Sequence, residues 1–178
     1  MAVADPLGIA IRPAVASDAE AIHAALLGIA EATGGTGRVR STVEDIRRHG
    51  FGPAPAFEAL VAEADGAVVG LCLFFRSFST WSGKPGAYVQ DLHVAPALRG
   101  RGIGEALLRR LAATIRDRGW AYVRLSVDAE NGSARAFYER IGMNWSRQER
   151  IFTATGAAFE ALSGDGGRED VSSAAGSD

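Results

Sequence analysis

Residues 95–111 have the composition of an anion-binding turn. They read APALRGRGIGEALLRRL, in which three glycines alternate with bulkier residues, two arginines lie among them, and the apolar spacing of a helix follows at once. The first turn of a helix has N–H groups without helical partners and carries roughly half a positive charge, and glycines let a bulky anion approach those groups. The pattern therefore predicts a phosphate or pyrophosphate site. Its residues are Arg99, Gly100, Arg101, Gly102, Ile103, Gly104 and Glu105.

Two common phosphate-binding motifs do not fit this turn. A P-loop needs G-x-x-x-x-G-K-[ST], and no lysine follows the glycines here. A dinucleotide fingerprint needs G-x-G-x-x-G early in the chain, whereas here the last glycine is replaced by Glu105 and much of the chain comes first. A plain flexible connection is the remaining alternative, but glycines destabilise a helix start unless something uses the space they leave.

The elements that would position this turn alternate between strands and helices. Strands are predicted over residues 8–14, 57–63, 67–75, 87–96 and 120–128 and near residues 150–154. Asp65-Gly66 is a favoured two-residue hairpin turn. Capping boxes at residues 17–20 and 41–44 predict two helix starts, and further helices are predicted over residues 103–118 and 131–142. The class is therefore α/β or α+β with one central sheet.

Composition narrows the class of protein. The formal net charge is -2 over 178 residues, which favours neither nucleic acid nor a membrane surface as a partner. The one cysteine, Cys72, lies in an apolar run and is interpreted as a buried structural thiol, and no metal-binding motif is present. The first residues do not resemble a secretory signal, so a cytoplasmic protein is expected. The polar, glycine-rich residues 163–178 are expected to form a disordered tail.

Two motifs together resemble the GCN5-related N-acetyltransferase (GNAT) family. RGRGIG, residues 99–104, matches R-x-x-G-x-G, and NGSARAFYERIG, residues 131–142, is similar to N-x-x-A-x-x-F-Y-x-x-x-G. The resemblance covers about residues 9–162 and is greatest to the diamine (spermidine/spermine) acetyltransferase branch. It implies one N-acetyltransferase domain over residues 1–162, with a mostly antiparallel central sheet flanked by helices. It also implies acetyl-CoA as co-substrate, a small-molecule amine as acceptor, and a homodimer.

The same resemblance implies roles for individual residues. Tyr138 would donate a proton to the departing thiolate, and a backbone N–H near Leu92 would polarise the thioester carbonyl. Gln90 and Asp91 would lie at the catalytic centre. The residues that would contact acetyl-CoA, besides residues 99–105 of the turn, are Leu92, His93, Val94, Asn131, Ser133 and Ala134. The residues that would contact the amine are Trp81, Gln90, Asp91, Arg124 and Ser126.

The sequence departs from the diamine branch at the position of the base. That branch usually has a glutamate before the aspartate, whereas this chain has Gln90, which cannot accept a proton but could position a water. Asp91 would hold the substrate ammonium. His93, with an unperturbed pKa near neutrality, is either the base or an ordinary partly buried histidine.

A second departure follows the first predicted helix, and it leaves the substrate open. Where the branch usually has acidic residues that suit a polycation, this chain has Arg38 and Arg40, which favour a substrate with a carboxylate unless both are simply solvated. The acceptor is therefore an amino-acid-like amine or a diamine or polyamine. The alternatives are an acetyltransferase for protein N-termini or lysines and a non-catalytic acyl-CoA-binding domain.

Overall fold

The structure, a computed structural model, describes residues 8–146, 149 and 151–163. The strands in chain order are β1 Ala10–Pro13, β2 Glu58–Ala64, β3 Ala67–Ser79, β4 Lys84–Val94 and β5 Val123–Leu125. The α-helices are α1 Ala19–Ala32, α2 Val43–Phe51, α3 Ile103–Asp117, α4 Gly132–Arg140 and α5 Ala157–Ser163.

The five strands form one sheet in the order β1-β2-β3-β4-β5. The first four are antiparallel neighbours, and β5 is parallel to β4. Asp65 and Gly66 both have positive φ, 49° and 76°, as the predicted two-residue turn between β2 and β3 requires. The prediction of a mixed fold with a mostly antiparallel central sheet is confirmed.

Two apolar layers cover the sheet. One layer is formed by the buried apolar residues of α3, and a side chain at Gly70 of β3 would meet Leu107 and Ile103 of that helix. The other layer is a separate core cluster of α1, α2, β2 and β3. Its buried members are Ala19, Ile22, Ala25, Ile46, Ala59, Val61, Leu71 and Leu73.

Helix α1 crosses the sheet from β1 towards β4. Just before its first residue, Asp18 bonds to Arg12 of β1, and its middle turn contributes Ile22 to the cluster with β2 and β3. Further on, Gly28 lies against His93 of β4. The four residues after Gly28 continue the helix by about 6 Å, which is comparable to the strand spacing of about 4.8 Å. The segment that follows α1 therefore leaves the helix on the β5 side of β4.

The first helix start differs from its prediction. Ser17 was expected to cap α1, but a single 3-10 turn over Ala16–Asp18 precedes the helix, and the Asp18 carboxylate accepts the N–H of Val15 at 2.8 Å. The same carboxylate accepts two hydrogen bonds from Arg12, at 2.7 and 2.9 Å. A charged carboxylate with an arginine partner accepts more strongly than a hydroxyl, so Asp18 sets the turn.

The capping box of α2 is one residue later than predicted. Thr42, not Ser41, accepts the N–H of Asp45 on its hydroxyl at 3.1 Å, and the Asp45 carboxylate accepts the N–H of Thr42 at 2.8 Å. A carboxylate in the first turn suits the positive helix end, and Asp45 provides it at the third helical position.

One predicted strand is too long and another is wrong. The strand over residues 120–128 shrinks to Val123–Leu125, because β4 gives it only three partners, residues 87–89. The strand near residues 150–154 is wrong for the described residues 151–154, which form no strand and expose Ile151 and Phe152. Apolar alternation favours a strand only where a neighbour completes its hydrogen bonds.

The chain divides into two compact units between Phe137 and Tyr138, within α4. In the second unit the described helices are the last turn of α4 and all of α5. The single N-acetyltransferase domain over residues 1–162 stays a prediction, and so do the homodimer and the cytoplasmic location. The expected tail over residues 163–178 lies, except for Ser163, outside the described residues. None of the described helices combines the length and hydropathy needed to span a membrane.

Candidate active site

Strand β4 contains a bulge near its carboxyl end. Val89 lies opposite Phe74 of β3, but Asp91 lies opposite the next residue back, Leu73. Gln90 is therefore the extra residue of β4 at this point. Beyond the bulge the alternation of the strand is reversed. The side chains of the following residues therefore face the opposite layer, and their N–H groups the opposite edge, from those of a regular strand.

The bulge turns the N–H of Leu92 away from β3. Beyond the bulge, Ala95 donates its N–H to Val69 of β3 at 2.9 Å, and since the N–H groups of a strand alternate, that of Leu92 points to the β5 side. The ladder between β4 and β5 ends where Val89 meets Leu125. Within the described residues, the Leu92 N–H thus lies beyond the last rung and points towards an open edge.

The side chains that follow the bulge alternate between the two layers. Asp91 and His93 lie opposite Leu73 and Leu71 of the α1 cluster, so they face α1. Val94 and Leu92 face α3 instead, since a side chain at Gly104 would lie 3.7 and 4.0 Å from them. The two titratable groups of this strand end therefore share one face.

Burial shifts the pKa of both groups. Burial raises the pKa of the Asp91 carboxyl, which is partly buried and lies opposite the apolar residue Leu73 of β3. Burial, and then the positive charge of Arg99, lowers the pKa of His93. Near neutral pH the imidazole is therefore uncharged and able to accept a proton. Gln90 is exposed and has no ionisable group.

The glycine turn before α3 has the backbone that an anion site needs. Gly100 and Gly102 have φ of 76° and 82°, a conformation that favours glycine, and among the described residues no atom beyond the adjacent residues of the chain lies within 4 Å of where either Cβ would be. The first helical bond of α3 runs from the N–H of Ala106 to the carbonyl of Gly102, at 2.9 Å. The N–H groups of Ile103 and Gly104 therefore have no partner within the helix, because the carbonyls that they would need belong to residues before its first turn.

The arginines and the acid of this turn have distinct positions. Arg99 donates its Nε–H to the carbonyl of Val94 at 3.0 Å, which ties the turn to the end of β4. Arg101 is exposed beside it. The Glu105 carboxylate accepts two bonds from Arg109, at 2.9 and 2.7 Å, so its charge is paired along the helix.

The part of the second motif up to Phe137 lies close to the first motif. A side chain at Gly104 would meet the Phe137 ring at 3.6 Å, so this first part of α4 packs where α3 begins. Asn131 caps α4, because its side-chain oxygen accepts the N–H of Ala134 and the hydroxyl of Ser133, each at 3.0 Å. Asn131 thus has a structural role at the start of α4, and the contacts of these residues with acetyl-CoA stay predictions.

The remaining predicted site residues are not all brought together. Trp81 is fully exposed at the tip of the β3–β4 hairpin, before the first residue of β4, which puts it more than about 23 Å along the strand from Asp91. Arg124 is exposed on β5, and Ser126 follows that strand. Tyr138 is half-buried on α4 and is the first residue of the second unit, so its role as proton donor stays a prediction.

Two residues of this region escaped the sequence analysis. Tyr88 stacks on Phe75 with ring centres 5.1 Å apart and shares a hydrogen bond of 2.8 Å with the Ser126 hydroxyl. Gly28 lies inside α1, where a Cβ would come within 3.0 Å of the His93 ring. An aromatic residue in a strand gives no distinguishing signal, but a glycine inside a helical pattern does, since it costs stability relative to alanine.

Comparison with known proteins identifies the family of this chain. Residues 26–143 match the model of the acetyltransferase (GNAT) family. The chain is 31% identical to thialysine N-epsilon-acetyltransferase of Bos taurus over 88% of this chain and 98% of that protein. It is 29% identical to L-ornithine N5-acetyltransferase of Arabidopsis thaliana over 71% of this chain and 53% of that protein. An aminoglycoside N-acetyltransferase in complex with CoA shares the fold, with a TM-score of 0.66 and 15% identity over 84% of this chain and 95% of that one. The open edge of β4 and the glycine turn before α3 are thus parts of an acetyltransferase, and the chain belongs to the GNAT family.

Proposed function

We propose that the protein transfers the acetyl group of acetyl-CoA to the side-chain amine of a small basic amino acid. The observation that carries the proposal is the meeting of three features at one end of β4. These are the outward N–H of Leu92, the glycine turn before α3, and a half-buried Asp91 on the face of α1.

The chain offers a suitable place for a diphosphate. The N–H groups of Ile103 and Gly104 at the start of α3, together with the positive helix end, suit a negatively charged group. The space beside Gly100 and Gly102 lets such a group reach the backbone. Bound acetyl-CoA would supply the activated carbonyl of its thioester to the neighbouring end of β4.

The outward N–H of Leu92 is the candidate donor to that carbonyl. A fixed N–H that is aimed at a developing oxyanion favours the transition state over the ground state, because it needs no reorganisation. Asp91, on the same strand, is the candidate partner of the substrate ammonium. Tyr138 is the candidate donor to the departing thiolate, as the family resemblance implies.

The segment that follows α1 favours an amino acid over a polyamine. It leaves α1 on the β5 side of β4, and it carries two exposed arginines, Arg38 and Arg40. Guanidinium groups suit a carboxylate and repel a polycation. An acceptor with a reactive amine at one end and a carboxylate at the other would suit Asp91 and this segment together. Two relatives are named as acetyltransferases of thialysine and of ornithine, and both of these substrates are amino acids of this kind.

Matched substrate pairs test this specificity. In a coupled assay of thiol release with acetyl-CoA, kcat/KM is measured for lysine against cadaverine and for ornithine against putrescine, which differ only in the α-carboxylate. We expect the amino acid of each pair to be the better substrate by about 10-fold or more, as one charge-assisted contact would give. Arg38→Ala combined with Arg40→Ala should remove that preference and leave the diamine rates nearly unchanged.

Two results would contradict the proposal. Equal or better turnover of the diamines would exclude recognition of the carboxylate. Acetylation of peptide N-termini or peptide lysines alone, with no free amine turned over, would assign the protein to the class that acts on proteins.

A further inference from the structure

We propose that His93 accepts the proton of the substrate ammonium and that Gly28 of α1 provides the niche that holds its ring in place. The inference rests on the proposed function and assigns the base that Gln90 cannot be. It comes from the packing of α1 on β4.

The niche is formed by a residue that the helix would otherwise disfavour. Gly28 lies within α1, in the run AALLGIAEA, where glycine destabilises the helix relative to alanine. A Cβ on Gly28 would lie 3.0 Å from Cε1, 3.5 Å from Nε2 and 3.8 Å from Nδ1 of His93. The imidazole therefore lies edge-on against the bare backbone of α1, and alanine would displace it.

The neighbours of the ring keep it uncharged before the reaction. Leu71 lies opposite on β3 and Gly28 on α1, and neither of them titrates. Burial disfavours the charged ring, and the positive charge of Arg99 also opposes its protonation. Asp91 lies two residues back on the same face of β4. A half-buried imidazole in these surroundings is a neutral acceptor near pH 7.

The position of His93 suits proton transfer next to the thioester. It is the residue after Leu92, whose N–H is the candidate donor to the carbonyl, and its side chain lies on the face where Asp91 would hold the ammonium. His93 takes one proton from the ammonium, and the freed amine attacks the carbonyl carbon. The C–N bond forms and the C–S bond breaks. The second proton of the amine nitrogen ends on the departing thiolate, which leaves as the thiol of CoA, and His93 releases its own proton to water.

Two substitutions separate a catalytic His93 from a structural one. In His93→Gln we expect kcat/KM to fall by roughly 10²–10⁴-fold, the usual contribution of a general base, and the acid limb of the pH–rate profile to disappear. In Gly28→Ala we expect a smaller fall in kcat with unchanged CoA affinity and an unchanged or higher Tm, since alanine favours the helix. His49→Gln, an exposed histidine on α2, is the matched control and should leave the profile unchanged.

A measurement that needs no turnover makes the outcome distinguishable from failure of the proposed function. The chain has three histidines, so comparison with His93→Gln identifies the His93 ring signal in an NMR titration with CoA present. We expect its pKa below the ordinary value of about 6.5, and lower still in Asp91→Asn. If amines are acetylated but His93→Gln keeps both rate and acid limb, the inference fails and the proposed function stands. If no amine is acetylated, the proposed function fails. If the His93 ring also titrates at or above its ordinary pKa, the role given to its surroundings fails as well.

Discussion

Replacing Gly102 by alanine tests whether the turn before α3 holds the diphosphate of CoA. Gly102 has φ of 82°, and an L-residue in this left-handed conformation costs roughly 1–2 kcal/mol. The free variant relieves that strain by leaving the conformation. CoA must restore the conformation in order to use the N–H groups of Ile103 and Gly104. The same 1–2 kcal/mol then opposes binding, which is a fall in affinity of about 5- to 30-fold.

The same helix supplies the control. Gly119 follows the end of α3 with φ of 74°, and, as at Gly102, no atom of the described residues other than its chain neighbours lies within 4 Å of where its Cβ would be. Its N–H bonds to the carbonyl of Arg116 at 2.9 Å, so alanine there strains the carboxyl end of the helix. Gly119→Ala should therefore lower the free energy of unfolding and leave CoA affinity unchanged.

Calorimetry with two ligands completes the test. CoA and its pantetheine fragment, which lacks the diphosphate, are titrated into the wild type and both variants. We expect Gly102→Ala to weaken the binding of CoA and not that of pantetheine, so that the difference in affinity between the two ligands becomes smaller. The reasoning is refuted if both variants lose CoA affinity equally, since the effect would then be one of stability. It is also refuted if wild-type protein binds the fragment as well as it binds CoA.

Three further outcomes are expected. Tyr138→Phe should lower kcat of acetyl transfer by about 10²-fold or more with CoA affinity unchanged, which steady-state kinetics and calorimetry together would check. Hydrogen bonds from Arg12 hold the pKa of Asp18 below its usual value, so this carboxylate stabilises the fold above its unfolded pKa of about 3.9, and that stability is lost as pH falls through the folded pKa. Asp18→Asn should therefore cost about 1–3 kcal/mol at pH 7 and make unfolding less acid-sensitive, as urea titrations at several pH values would show. Burial raises the pKa of the Cys72 thiol to about 12, so a disulfide reagent at pH 8 should label it only after unfolding.

The sequence predicted features that depend on local backbone chemistry. Asp65-Gly66 makes the hairpin turn because both residues adopt positive φ. The predicted end of α3 lies within one residue of the observed end, where Gly119 adopts positive φ. The glycine turn was predicted because Gly100 and Gly102 disfavour a helix start, and both take positive φ there.

Features that depend on a partner were missed or misplaced. Ser17 could not be distinguished from Asp18 as the residue that sets the turn before α1, because the choice depends on Arg12 of β1. The strand near residues 150–154 was predicted from apolar residues alone, and no ladder forms over the described residues there. Gly28 could be noticed as an anomaly, but its purpose needed the ring of a distant strand beside it.

The bulge at Gln90 links the fold to the chemistry. Without an extra residue, the register below the bulge would continue, and Leu92 would lie opposite Leu71 in place of His93. The N–H of Leu92 would then bond to β3, and its side chain would face α1, while His93 would face α3. One inserted residue thus turns the N–H of Leu92 towards the open edge of β4. It also places the side chains of Asp91 and His93 together on the face of α1. The alternation of YVQDLHV does not reveal this, since every residue in it suits a regular strand. Gln90 therefore matters through the residue count of β4, whatever its side chain does.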